Sequence, residues 1–341
     1  MNHTFTVECS PEDEGLRVDH CIVRHVPDLP RSSLKSHAIA LLRDGVAVRL
    51  STRVRAGDVL HVSLSTPETV STAAEDIPLQ IIAEQPDYLV IHKPQGMVVH
   101  PGAGNSSGTL VHALAGRYRD DAYFELQDQG AAETHRPGIV HRLDKETSGV
   151  MIIARNPDTY EWLVQQFKEH AVYKEYLAVV KGIPSPPAAV LSAPLSRDPR
   201  NRIRFAVSGE MRLNANKEPP VPPGARDART RYEVVAQYGT AYALVRLFPS
   251  TGRTHQLRVH MQHLGHPILG DPLYARPDRR FPEERLMLHA HRLSVVPRPG
   301  GAVETFTAPV ADRFRRVLSR LNAQEGITIP PDSRGSTSAQ L

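Results

Sequence analysis

The sequence predicts an α+β fold: one large domain built on a mixed, largely antiparallel sheet, preceded by a small α/β module. Three observations predict it. Apolar or β-branched runs of about five residues recur in pairs separated by turn residues. Helical spacing is confined to a few windows, as expected of a chain with 29 prolines. A polar stretch rich in Ser and Thr, SLSTPETVSTAAED, then divides a basic N-terminal segment from the rest.

Taken in order, residues 1–66 form the module. From Gly15 to Val62 there are eight basic residues against four acidic ones. Arg31 to Leu42 has helical spacing, with Leu34, Ala38, Leu41 and Leu42 on one stripe, and Asp44-Gly45 stops it. Short alternating segments follow at Val46, Val48 and Val59-Leu60-His61-Val62. Residues 67–76 read as a linker and 77–322 as the large domain. There, Leu79–Ala83 and Tyr88–His92 suggest a hairpin across Gln85-Pro86-Asp87. Val150–Ala154 and Tyr176–Val180 read as strands, and Asn156 can cap a helix reaching His170. Two more strand pairs are expected, Thr230–Ala236 with Tyr242–Phe248 and His289–Val296 with Glu304–Thr307. Residues 184–230, rich in Pro and Arg, read as an irregular exposed excursion, and 323–341 as a disordered tail.

The composition narrows the function. With 341 residues, 40% hydrophobic and 23% charged, the chain can bury a core and is not globally disordered. A net charge of +4 permits an anionic partner without demanding one. Cys9 and Cys21 make neither a disulfide framework nor a zinc ribbon, and suit a reducing cytoplasm. The acidic N-terminus, MNHTFTVECSPEDEG, is unlike a signal peptide, and no apolar run is long enough to span a bilayer.

Two segments stand out chemically. His135 to Gly149 crowds charged and imidazole side chains directly before the strand at Val150. Charges brought to a sheet edge lose hydration unless they find partners, so such a loop suggests a site. Its bland alternative is a solvated loop with local ion pairs. The second segment, Ser250 to Met261, leaves a strand and begins a helix, with Ser250 or Thr251 as N-cap and Leu257, Met261 and Leu264 facing the core. Arg253 then falls in the first turn, where a cation opposes the helix dipole unless a carboxylate or phosphate lies nearby.

These motifs resemble those of the RluA-type pseudouridine synthases. His141-Arg142-Leu143-Asp144-Lys145-Glu146-Thr147-Ser148-Gly149 is similar to the family signature H-R-L-D-x-x-T-S/T-G. Asp87 to Pro101 resembles the first family motif, Lys174-Glu175-Tyr176-Leu177-Ala178 the K-x-Y-x-A strand, and Thr251 to His260 the G-R-T-H-Q-x-R-V-H helix. Gly270-Asp271-Pro272-Leu273-Tyr274 and Leu288-His289-Ala290 fall where the family places G-D-x-x-Y and L-H-A. The N-terminal module resembles an S4 RNA-binding domain through Gly15-Leu16-Arg17-Val18-Asp19, Arg31-Ser32-Ser33-Leu34-Lys35 and Gly57-Asp58-Val59-Leu60. It departs from the S4 pattern by four extra residues before Gly45 and by lacking the usual Asn-Gly hairpin.

The resemblance implies isomerisation of uridine to pseudouridine in RNA, with no cofactor and no metal. It makes Asp144 the catalytic carboxylate, able to stabilise positive charge at C1′, attack it, or take a proton from C2′; the sequence does not choose among these routes. Asp144 must stay ionised where lost hydration disfavours charge, so a fixed cation is needed, and the motif assigns that place to Arg253. Tyr176 maps to the tyrosine that stacks on uracil, its hydroxyl able to help remove the C5 proton. Arg142 would sit beside the flipped nucleotide, and Arg31 and Lys35, one turn apart, would contact phosphates. The implied partner is structured RNA, foremost large-subunit ribosomal RNA, bound by a cytoplasmic monomer with no membrane or nucleotide cofactor. A tRNA-modifying relative and a non-catalytic RNA-binding assembly factor are the alternatives. His255, His260 and His263 have no H-E-x-x-H or cysteine company and read as helix and core histidines.

Overall fold

The computed structural model describes residues 2–26, 29, 34, 38–65, 74–102, 104–124, 138–215 and 217–328. These fall into two compact units, one within Met1–Thr72 together with Pro101–Ser107, the other made of the remaining residues.

The first unit is an antiparallel sheet of β1 (Asn2–Glu8), β2 (Ala38–Arg43), β3 (Val46–Ala47) and β4 (Val59–Ser65), ordered β1-β4-β2-β3, with α1 (Val18–His25). Leu60, Val62 and Leu64 alternate inward along β4 and meet Val18, Cys21 and Ile22 of α1, the period-two pattern of a half-buried strand. The helix expected from Arg31 to Leu42 is corrected here. Leu34 is helical and buried, but Ala38–Arg43 is a strand paired along β4, Leu41 opposite Val62. Asp44-Gly45 is therefore no helix stop. Both residues have positive φ, 50° and 82°, and they link the pairs Arg43–Val46 and Leu42–Ala47 as a two-residue hairpin turn. Arg31 and Lys35 lie outside the described residues. Buried Asp13 accepts hydrogen bonds from Ser10 and meets His25 Nε2 at 2.7 Å and Arg24 at 3.4 Å. Burial works against its ionisation, yet the bonds from His25 and Ser10 prevail and hold it at about 2.

The second unit carries a ten-stranded sheet. Its strands are β5 (Gln80–Glu84), β6 (Tyr88–Lys93), β7 (Ser148–Ala154), β8 (Tyr173–Lys181), β9 (Ala188–Ser192), β12 (Arg212–Leu213), β13 (Arg229–Tyr238), β14 (Tyr242–Pro249), β15 (Leu288–Val295) and β16 (Glu304–Thr307). The order is β12-β9-β13-β14-β8-β15-β7-β6-β5, with β16 also on β15, and every pairing is antiparallel except β7 with β15. A separate hairpin joins β10 (Leu195–Arg197) to β11 (Phe205–Val207). Residues 184–230 are thus not wholly irregular, since four short strands lie within them. The expected mixed, largely antiparallel sheet is the observed one.

Helices α2 (Leu110–Arg117) and α3 (Pro157–Lys168) cover the β6–β7 half; α4 (Gln256–His263) and α5 (Asp312–Glu325) cover the β13–β14 half. Asn156 caps α3 as expected, its side chain accepting from Thr159 N at 2.8 Å. Helix α5 runs past Asn322, and Thr328 exchanges two backbone hydrogen bonds with Gln237, so order persists beyond the expected start of the tail. Each half has its own apolar core, one including Ile91, Ile152 and Leu163, the other Val179, Leu244 and Phe314. Tyr176 packs against both. The seam between them is where β7 pairs with β15. Gly149 has φ 128° there, and a Cβ on it would lie 2.1 Å from the Ala290 carbonyl oxygen.

Candidate active site

Along that seam opens a cavity of about 440 Å³, lined by residues from the 140–147 loop, α3, β8, the 249–255 turn and α4. Asp144, Tyr176, Arg142 and Arg253 all line it.

Asp144 lies at the start of a tight turn in which Thr147 N donates to the Asp144 carbonyl at 3.0 Å. The turn is fixed from outside. Lys145 O accepts from Gly96 N at 2.8 Å and from Lys93 Nζ at 3.4 Å, and Glu146 O accepts from Gln95 Nε2 at 2.9 Å. The Glu146 carboxylate takes two bonds from Arg285, at 2.9 and 2.7 Å. Lys93 is fully buried and also donates to the carbonyls of Pro94 and Met97. Burial lowers it to about 7, against the pull of Asp144 and Glu146. The segment Lys93-Pro94-Gln95-Gly96 therefore works as a cradle for the Asp144 turn, a role that sequence reading did not assign.

The cation beside Asp144 is Arg258, not Arg253. Arg258 Nη1 reaches Asp144 Oδ2 at 3.2 Å, while its Nε and Nη2 hold both oxygens of buried Asp271 at 2.8 and 2.9 Å. Asp271 Oδ1 also accepts from the backbone N–H of Leu273 and Tyr274, so the Gly-Asp segment after α4 fixes the arginine's orientation. Burial opposes the Arg258 charge, but hydrogen bonding to Asp271 and the two carboxylates raise its affinity for the proton well above the ordinary value. Its guanidinium lies 5.0 Å from the centroid of the Tyr274 ring.

Arg253 differs because the helix begins later than its capping residues suggested. His255, with φ 57°, ends a turn, and α4 starts only at Gln256. Thr251 Oγ1 donates to Gln256 Oε1, which also accepts from Arg253 N, so Thr251 and Gln256 lock the turn rather than cap the helix. Arg253 consequently precedes the helix, and its Nε donates to the Asp227 carbonyl at 2.9 Å. Residue 258 falls on the helix face that meets the Asp144 loop.

His255 stands 3.8 Å from Asp144 through Nε2, and its Nδ1 meets the Tyr274 hydroxyl at 2.8 Å. Burial lowers its proton affinity despite the nearby carboxylate. Tyr176 is pushed well above the usual phenol range by burial and then by the Asp144 charge, so it is a neutral phenol at pH 7. Arg142 is exposed at the cavity wall. His141 stacks on Phe167 at 4.5 Å and accepts a hydrogen bond from Ile152 N; burial lowers it to about 3, so it is neutral. His260 is buried between Thr230 Oγ1 and the Ala193 carbonyl, which gives it a packing role. In the first unit, Asp13, Cys21 and His25 bring one donor atom each within 4.8 Å of one another, a grouping not expected from their spacing; Asp13 is already engaged by Ser10, Arg24 and His25. No helix among the described residues is long and apolar enough to cross a membrane.

Comparison with known proteins gives the class to which this sheet and its acid–arginine pair belong. Residues 87–263 match the family model described as RNA pseudouridylate synthase. An uncharacterized RNA pseudouridine synthase of Chloroflexus aurantiacus is 39% identical over 314 residues, 91% of this chain and 92% of that protein. Ribosomal large subunit pseudouridine synthase D of Xanthomonas campestris is 36% identical, with 90% and 89% covered. Among solved structures, human RNA pseudouridylate synthase domain containing 4 aligns with a TM-score of 0.55 and 27% identity, covering 74% of this chain and 94% of that one. The chain belongs to the RNA pseudouridine synthase family and is an isomerase of uridine in RNA.

Proposed function

We propose that the protein converts uridine to pseudouridine in large-subunit ribosomal RNA, with Asp144 as the catalytic carboxylate. The observation that carries the reading is the chain Asp144–Arg258–Asp271, which fixes one carboxylate at the cavity wall, aimed where a flipped nucleotide would lie. The ribosomal substrate is supported by the name of the Xanthomonas relative and by the size of the alignment with it.

The chemistry requires the N1–C1′ bond to break, the uracil to turn, and C5 to bond to C1′, after which the C5 proton leaves. Asp144 would act at the ribose, by stabilising or capturing C1′ or by removing the C2′ proton. Arg258 fixes its orientation through the 3.2 Å contact, so the carboxylate is in place without reorganisation as the glycosidic bond weakens. The Tyr176 ring supplies a face against which uracil can stack while it is detached. As a neutral phenol it is a hydrogen-bond donor rather than a ready base. Arg142, exposed at the mouth, would fill the gap left in the RNA stack, and Arg31 and Lys35 of the S4-like module would add phosphate contacts. On this reading the enzyme works in the cytoplasm, where its ribosomal substrate would be met, and acts as a monomer.

Mapping pseudouridines in large-subunit ribosomal RNA from a strain lacking the gene tests this. Loss of pseudouridine at one or more positions, restored by the wild-type gene and not by Asp144→Asn, is expected. Unchanged large-subunit RNA with pseudouridine lost from tRNA would move the substrate to tRNA, and no loss in either would favour an RNA-binding assembly factor.

A further inference from the structure

The charges around the cavity do not balance. Among the described residues its lining holds Arg142, Lys168, Lys174, Arg253 and Arg258 but a single carboxylate, Asp144, which Arg258 already engages. The mechanism leaves Lys168, Lys174 and Arg253 unused, and of these Lys174 and Arg253 are the two whose charges act on one another. Lys174 lies two residues before Tyr176 on β8, so the two side chains leave the same face of the sheet while Glu175 points away and is buried beside Arg292. Among the described residues neither Lys174 Nζ nor the Arg253 Nη atoms have a hydrogen-bond or carboxylate partner; Arg253 is anchored only through its Nε and backbone N–H. Burial, and then the charge of Arg253, lower Lys174 to about 8. Two cations in a partly buried pocket whose one carboxylate is engaged by Arg258 are a cost that a bound anion would remove.

We propose that Lys174 and Arg253 form a phosphate subsite that grips a phosphodiester of the target uridine. The proposal rests on the pseudouridine synthase reading. Uracil and ribose are neutral, so the phosphate is the nucleotide's only anionic group, and it is bonded to the same ribose that Asp144 would address. An arginine fork anchored through Nε on the Asp227 backbone carbonyl, and a lysine ammonium with no partner among the described residues, are suited to phosphate oxygens. The pair would fix the ribose relative to Asp144 while the base is detached and turning, which makes both positioning residues.

The test is competition against tritium release from transcribed large-subunit ribosomal RNA carrying 5-tritiated uridine, with uridine and its 5′- and 3′-monophosphates as inhibitors. For the wild type, at least one monophosphate should inhibit at a concentration about tenfold or more below that of uridine. Lys174→Met and Arg253→Gln should each erase that ratio while uridine's own inhibition is unchanged, and Lys174→Arg should retain it. Monophosphates no better than uridine on the wild type, whether both inhibit or neither does, would overturn the proposal. So would a ratio that survives in both variants. A wild type that releases no tritium would instead defeat the proposed reaction.

Discussion

Replacing Arg258 by Met separates the two jobs that its guanidinium performs. At 3.2 Å, and with an effective dielectric of about 20, its attraction to Asp144 is about 5 kcal/mol. The Asp144 side chain is 21% exposed, and solvent screening should reduce this to about 3 kcal/mol. If that term is felt in the transition state, Arg258→Met lowers kcat by roughly a hundredfold or more. The same change strands the buried Asp271 carboxylate, which costs about 3–5 kcal/mol of stability. Adding Asp271→Asn removes that charge and keeps an acceptor for the N–H groups of Leu273 and Tyr274. The double variant should therefore melt close to the wild type and still be slow. Single-turnover tritium release and thermal melts measure both effects. Arg253→Met, by contrast, should raise KM more than it lowers kcat. Recovery of wild-type kcat in the stable double variant would refute the reasoning, as would an Arg253→Met loss of kcat equal to that of Arg258→Met.

Other residues give separate expectations. Gly149→Ala would push a methyl to 2.1 Å from the Ala290 carbonyl oxygen at φ 128°, so it should destabilise the second unit by at least about 3 kcal/mol in chemical denaturation. Tyr176→Leu removes the stacking face and should lower kcat/KM by about 10- to 100-fold, whereas an unaffected rate would show that uracil does not rest there. Asp13 titrates at about 2 in the folded chain, below its ordinary 3.8, so it stabilises the folded state above about pH 4 and that stability is lost as the pH falls through about 2. Asp13→Asn should thus cost roughly 2 kcal/mol at pH 7, with the difference from wild type vanishing near pH 1.5.

The sequence disclosed most where local rules decide. The hairpin around Gln85-Pro86-Asp87 and the Asn156 cap are set by residues near in the chain. So is the crowding of charge before β7, which marked Asp144. It disclosed least where partners are distant. The run Ala38–Arg43 carries a helical stripe, yet β4 takes it as a strand because pairing buries Leu41 against the sheet. The parallel β7–β15 contact joins residues about 140 apart, which no window of periodicity registers. Arg253 was misplaced for a smaller reason. Ser250 and Thr251 are good capping residues, but the left-handed His255 delays the helix, and only the position of Asp271 reveals that Arg258 is the held cation. The Lys93 cradle left no local trace because its partners are backbone carbonyls, one of them 52 residues away.

The most direct test of the central claim is tritium release from 5-tritiated large-subunit ribosomal RNA by wild type and Asp144→Asn, with RNA affinity measured on the same preparations. The wild type should release tritium in step with pseudouridine formation, and Asp144→Asn should release none above background while binding RNA within a few-fold of wild type. Release by Asp144→Asn at the wild-type rate would contradict the account.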